Sequence, residues 1–224
     1  MRTNTQKKTF AAGALLVAAV LGLSACGTGD SSTASVAEVS DTGPQRNYTV
    51  LDQPFTKPDL VLTDTNGKSY DLRKETAGKP TLIYFGYTNC PDVCPLTMNN
   101  LAVAKKEIAK KVPKAELANL RLVFVTTDPE RDTSAELGKW LKGIDSEIVG
   151  LTGDFDDIQA GARTLGISIA PPTKDKNGKT VSEHGTQVIA FSPKTDGGSV
   201  LYDDNATVQD YEKGLPKLLK GENP

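Results

Sequence analysis

Cys90 and Cys94 stand four residues apart in the stretch YFGYTNCPDVCP (84–95), each followed by a proline, at the end of an apolar run. Thiols at this spacing serve either a disulfide switch or a soft-metal site, and spacing alone does not separate the two. As a redox motif, C-x-x-x-C is one residue longer than the C-x-x-C of thioredoxin-like enzymes. As a metal site, two thiolates need further ligands. The chain has one histidine, His184, in SEHGTQ. A lone histidine is more often incidental than a ligand, but this one lies in a loop beside Gly185 and leads into an apolar strand. Two thiolates and one imidazole suit copper, whereas zinc usually takes a fourth ligand. The methionines offer little, since Met1 opens the chain and Met98 sits on the helix after Cys94. Polar Asn89 and Asp92 flank the thiols, which argues against a pure packing role.

The elements around the pair must position it. Pro91 suits the first turn of a helix, where its missing N–H costs nothing. Cys90 then falls in the loop before that helix and Cys94 one turn inside it, on a shared face. A helix N-terminus favours anions and lowers a thiol pKa. Leu96, Leu101, Ala104 and Ile108 continue the helical spacing over 96–111, with lysines at its end. Two short apolar runs, 81–87 and 121–127, read as buried strands. Asn66-Gly67 and Asn177-Gly178 mark two hairpin turns, the second just ahead of the strand 186–191. Thr133-x-x-Glu136 reads as a capping box, residues 154–167 as a helix and 199–203 as a further strand. The last helix, about 207–219, contains Pro216, which is expected to kink or break it. The alternation predicts an α/β fold whose sheet is covered by helices on both faces.

The start of the chain bears on compartment. Arg2, Lys7 and Lys8 precede AAGALLVAAVLGLSA, a run shorter than a comfortable membrane span of about 20 residues. It ends in LSAC at Cys26, which resembles a bacterial lipoprotein signal: leader 1–25, then a lipidated Cys26. Two or more acyl chains hold a protein stably on a membrane. Residues 26–50 are small and polar and read as a tether, with a globular domain over 51–224. If Cys26 carries lipid, the domain keeps only Cys90 and Cys94. A disulfide between such near neighbours closes too small a loop to be a structural staple. The net charge is −2, or −5 without the three basic leader residues, so no basic surface suggests nucleic acid.

Three segments, YFGYTNCPDVCPLTMNNL, VFVTTDPERDT and HGTQVIAFSP, occur in this order with separations that resemble the Sco/SenC family. The resemblance covers roughly 50–220 and implies a thioredoxin-like fold with a central mixed sheet. To this are added an N-terminal hairpin and a hairpin inserted before the His-bearing strand. It also implies copper bound by Cys90, Cys94 and His184, and a non-enzymatic role in assembling the CuA centre of cytochrome c oxidase. The partners so implied are the copper-bearing oxidase subunit and an upstream copper donor. The domain would be lipid-anchored on the extracytoplasmic face of the cell membrane. DPERDT would place Asp128 near the metal pocket, and the carboxyl end of a central strand is where α/β folds display functional side chains. A plain turn role is the alternative for Asp128. Asp132 or Thr133 is expected to cap the following helix, and Arg131 to be solvated. Tyr84, Phe85 and Tyr87 read as core or pocket wall. Two other readings stay open: a reductase that keeps the oxidase subunit's CuA-site cysteines reduced, and a redox or copper sensor.

Overall fold

The computed structural model describes residues 46–224, apart from Lys179 and Glu183. The Cys26 lipidation site and the leader lie outside the described residues.

Six-residue strand β4 (Thr81–Gly86) is buried throughout, as its unbroken apolar run demands. It pairs in parallel with β5 (Arg121–Thr126), which pairs in parallel with β6 (Val149–Thr152). On its other side runs antiparallel β9 (Val188–Phe191), then β10 (Gly197–Tyr202) and β1 (Tyr48–Thr56). The hairpin β2 (Val61–Asp64) and β3 (Ser69–Asp71) extends the far edge through β2 and β6, giving the order β1-β10-β9-β4-β5-β6-β2-β3. The mixed sheet and the added N-terminal hairpin agree with expectation. The Asn66-Gly67 turn is closed by Asp64, whose carboxylate accepts the Asn66 and Lys68 N–H groups at 2.8 Å each, with Gly67 at φ 76°.

Alternation along the strands sorts two cores. Leu82, Tyr84, Leu122, Phe124, Val188 and Ala190 face one side, against α2 (Val93–Ile108), α4 (Ser134–Lys142) and α6 (Val208–Leu219). Ile83, Phe85, Val123, Val125, Ile189 and Phe191 face the other, against α1 (Leu72–Glu75) and α5 (Phe155–Arg163). The one remaining described helix, α3 (Lys114–Leu117), is a short connector into β5. The inserted hairpin, β7 (Thr173–Lys174) and β8 (Thr180–Val181), forms its own two-stranded sheet and turns at Gly178, φ 77°. None of the described helices is long and apolar enough to cross a membrane.

Several expectations shift. Helix α2 starts at Val93 with Asp92 as its cap, accepting the Val93 N–H at 2.6 Å. Pro91 therefore precedes the cap, Pro95 occupies the first turn, and Cys94 is the second helical residue rather than a full turn in. The His-bearing strand begins at Val188, not Thr186. Strand β1 begins at Tyr48, inside the stretch read as tether; its mostly exposed residues carry no clear alternation, and only pairing with β10 defines it. Helix α6 runs through Pro216. An interior proline costs about 3 kcal/mol, but Leu215 and Leu218 on either side of it are buried, and each stabilises by about 1.5–3 kcal/mol. Gly214 lets this helix lie on the sheet: a Cβ there would meet the Tyr202 hydroxyl at 1.9 Å.

Candidate metal centre

The carboxyl ends of β4 and β5 converge on one point. After Gly86 the chain leaves β4 through Tyr87 and Thr88 to Cys90, turning with a Cys90 N–H bond to the Tyr87 carbonyl of 3.2 Å. Cys94, in the first turn of α2, lies fully buried over Gly86, where an added Cβ would stand 2.8 Å from the sulfur. A side chain at position 86 would displace that thiol. His184 reaches the same point from the segment between β8 and β9.

The ligand atoms of Cys90, Cys94 and His184 all lie within 4.8 Å of one another. His184 Nε2 is 3.4 Å from Cys94 Sγ and 3.9 Å from Cys90 Sγ. Its Nδ1 is 2.9 Å from the Gly185 carbonyl, so Nδ1–H donates there and Nε2 is left facing both sulfurs. Tyr84 and Tyr87 hold the ring edge-on, at centroid distances of 6.1 and 5.5 Å. The three residues singled out in the sequence are thus brought together.

Both thiols are free, and they differ. Cys94 donates to the Cys90 sulfur, which also takes helix N-terminal N–H groups of Cys94 (3.4 Å) and Asp92 and the His184 ring. These outweigh burial and hold Cys90 down to about 4. Burial, then the negative partner it donates to, pushes Cys94 up. The two thiols are thus pushed apart, Cys90 toward the thiolate and Cys94 toward the thiol. Tyr84, held protonated by burial and by Cys94, donates to the Cys94 sulfur at 3.5 Å. At His184 burial would lower the pKa, but the Cys90 sulfur and the Gly185 and Phe85 carbonyls outweigh it and raise it. The same contacts favour negative charge on Cys90 and a proton on His184. A soft cation replaces that proton, and its binding releases protons.

The segment after β5 settles one expectation in favour of Thr133 and corrects another. Asp132 does not cap α4; Thr133 does, its hydroxyl accepting the Glu136 N–H at 3.4 Å. Asp132 is fully buried and holds the cysteine loop, accepting from Thr88 N (2.9 Å), Thr88 Oγ1 (2.5 Å) and Thr126 Oγ1 (2.7 Å). Arg131 is not simply solvated. It pairs with the buried Asp128 carboxylate and stacks over Tyr87, 6.0 Å from the ring centroid. Asp128 faces Arg131, and its backbone N–H donates to Thr126 Oγ1 at 3.0 Å. Its connection to the cluster runs through Arg131 and Tyr87 to His184. Thr127 and Ser182 pin the histidine segment to the end of β5, with hydroxyls 3.0 Å apart and Ser182 Oγ donating to the Thr127 carbonyl at 3.1 Å. Asp132, Thr88 and Ser182 were missed in the sequence. DPERDT flagged the region, but no local signal pairs Asp132 with Thr88.

The fold and this cluster define a thioredoxin-like domain with a two-thiol, one-imidazole cluster at the carboxyl edge of its sheet. The SCO1/SenC family model matches residues 49–218, and the chain belongs to that family. The chain is 31% identical over 144 residues to the mitochondrial SCO1 homolog of Homo sapiens, covering 64% of this chain and 45% of that protein. It is 28% identical over 178 residues to the mitochondrial SCO1 homolog 1 of Arabidopsis thaliana, covering 80% and 50%. The chain thus spans about half the length of these mitochondrial relatives. Among solved structures it is similar to Arabidopsis thaliana ScoI with copper bound: TM-score 0.64, 28% identity, 74% of this chain and 98% of that one. Bradyrhizobium japonicum ScoI with copper bound gives TM-score 0.60 at 27% identity, covering 76% and 99%.

Proposed function

We propose that this protein is a copper metallochaperone that binds copper through Cys90 Sγ, Cys94 Sγ and His184 Nε2. It passes the metal to the copper-bearing subunit of cytochrome c oxidase as the CuA centre is built, and receives it from an upstream donor. The observation that carries this reading is the orientation of His184: Nδ1 is spent on the Gly185 carbonyl and Nε2 is aimed at both sulfurs. The donor set fits the metal, since two sulfurs and one imidazole are soft enough for copper. Family relatives solved with copper bound support the choice. The role is stoichiometric delivery rather than turnover. Cys26 carries the lipid anchor, the stretch ahead of β1 the tether, and the domain from Tyr48 onward works on the extracytoplasmic face of the membrane.

The thiol asymmetry favours a second reading. The contacts around Cys90 favour its thiolate, with Cys94 directly behind it to resolve a mixed disulfide. Such a pair keeps the oxidase subunit's CuA-site cysteines reduced. The deciding experiment titrates the reduced protein with copper and reads sulfur and nitrogen ligation spectroscopically. One copper per chain with both ligand types supports the metallochaperone. Absence of tight binding, with dithiol exchange intact, leaves the reductase.

A further inference from the structure

Asp132 carries a buried carboxylate that, among the described residues, makes no ion pair; three neutral donors from Thr88 and Thr126 occupy its oxygens. Two of the three come from Thr88, one by its peptide N–H and one by its hydroxyl. Only Asn89 separates this anchor from Cys90. Cys94 is held independently, fully buried in the first turn of α2 over Gly86 and under the Tyr84 hydroxyl.

The sulfurs are unbonded, yet lie within 4.8 Å of one another. A disulfide needs about 2.05 Å between them and a set torsion. Because α2 and the strand below fix Cys94, closing that gap falls to the Cys90 loop. That movement pulls on Thr88 and strains its bonds to Asp132. Hydrogen bonds to a charged group are the stronger kind, so their loss on closure weighs on the equilibrium.

We infer that Asp132 is a positioning residue that holds the Cys90 loop in its open dithiol arrangement and so biases the Cys90–Cys94 couple toward the reduced form. The inference needs no metal, and it applies whether the dithiol serves copper or exchange. Closing the couple removes two electrons and two protons and forms one S–S bond; opening it returns them.

The test equilibrates the full chain with mixtures of reduced and oxidised dithiothreitol. Cyclisation of reduced dithiothreitol supplies the two electrons and two protons that open the protein disulfide. Asp132→Asn keeps the volume but turns an amide toward donors. It should shift the equilibrium about tenfold toward the disulfide, which is ~30 mV more negative for a two-electron couple. Thr88→Val, which loses the hydroxyl bond and keeps the peptide one, should shift it the same way by less. Thr88→Ser should restore the native potential. A purely structural Asp132 would destabilise both redox forms alike and leave the potential unmoved, which melting of each form would show. An unchanged or more positive potential in Asp132→Asn overturns the inference. Should that variant fail to fold, an unchanged potential in Thr88→Val overturns it equally. If the native protein binds no copper, only the metallochaperone reading falls.

Discussion

The two halves of the candidate metal centre are held in different ways. The cysteine half grows out of the sheet. Cys94 belongs to a 16-residue helix packed on the main core, and Cys90 follows a loop tied by two Thr88 bonds to the buried Asp132, which Thr126 of β5 holds in turn. The histidine half hangs from a hairpin of two-residue strands outside the main sheet, and Thr127 and Ser182 pin it to β5. A segment with few buried anchors opens more cheaply than one set in a core. The difference suggests a division of labour: the sulfurs keep their place through a metal's arrival and departure, and the imidazole closes or opens the site. Each expected outcome below can break or sharpen that division.

The largest effect is expected at the sulfurs. Cys94→Ser should abolish tight copper binding, and so should oxidation of Cys90 and Cys94, since each leaves too few soft donors around the metal. Copper titration of the variant and of the oxidised native protein checks both. Tight binding by the oxidised protein would mean that the sulfurs are not the fixed half of the site.

His184→Ala should come next. Its cost to copper affinity should exceed the roughly 10–100-fold typical of losing an outer hydrogen-bond partner. The dithiol couple should still form and be reduced, because the thiolate does the attacking. Competition titration and a dithiol assay on the same preparation measure the two. Native copper affinity in this variant, or native oxidase activity at limiting copper in cells carrying it, would remove the imidazole from the site and promote the reductase reading.

How much of this was readable in the sequence follows from how local each feature is. Strands β4 and β5 are continuous apolar runs, and the Asn66-Gly67 and Asn177-Gly178 turns need a positive φ that glycine supplies. Such signals lie within a few residues. The convergence of Cys90, Cys94 and His184 is not local, and it came from the family resemblance together with the scarcity of other soft ligands. Asp132 shows the limit: its partner Thr88 is 44 residues away, and an aspartate ahead of a helix reads as a cap until the fold buries it. Strand β1 and the passage of α6 through Pro216 fail for the same reason, since pairing and burial outside the segment decide them.

Asp128 ranks third. It reaches the centre through Arg131, Tyr87 and His184 rather than by touching a ligand. Asp128→Ala leaves Arg131 without its carboxylate and lets the Tyr87–His184 contact relax. A loss of about tenfold in copper affinity is expected, the low end for an indirect partner, with the fold intact by circular dichroism. Equal affinity in variant and native protein would return Asp128 to a turn residue and would leave the histidine half held by Ser182.

The smallest expected effect falls on that pin, and it tests the division most directly. Ser182→Ala removes the hydroxyl that meets Thr127 Oγ1 and donates to the Thr127 carbonyl. Neutral hydrogen bonds of this kind contribute about 1 kcal/mol each, so the histidine segment should open several-fold more often while the sheet is untouched. Amide exchange should quicken across 184–187 and stay native across 88–94. Copper should leave several-fold faster, because a freed imidazole uncovers the sulfurs, with little change in how it first binds to them. Stopped-flow transfer of copper to a chelator, read beside the exchange map, joins the two measurements. Faster exchange with an unchanged off-rate would show that the imidazole is not the gate. Quickening at 88–94 as well would show that the two halves move as one, and the contrast between them would be lost.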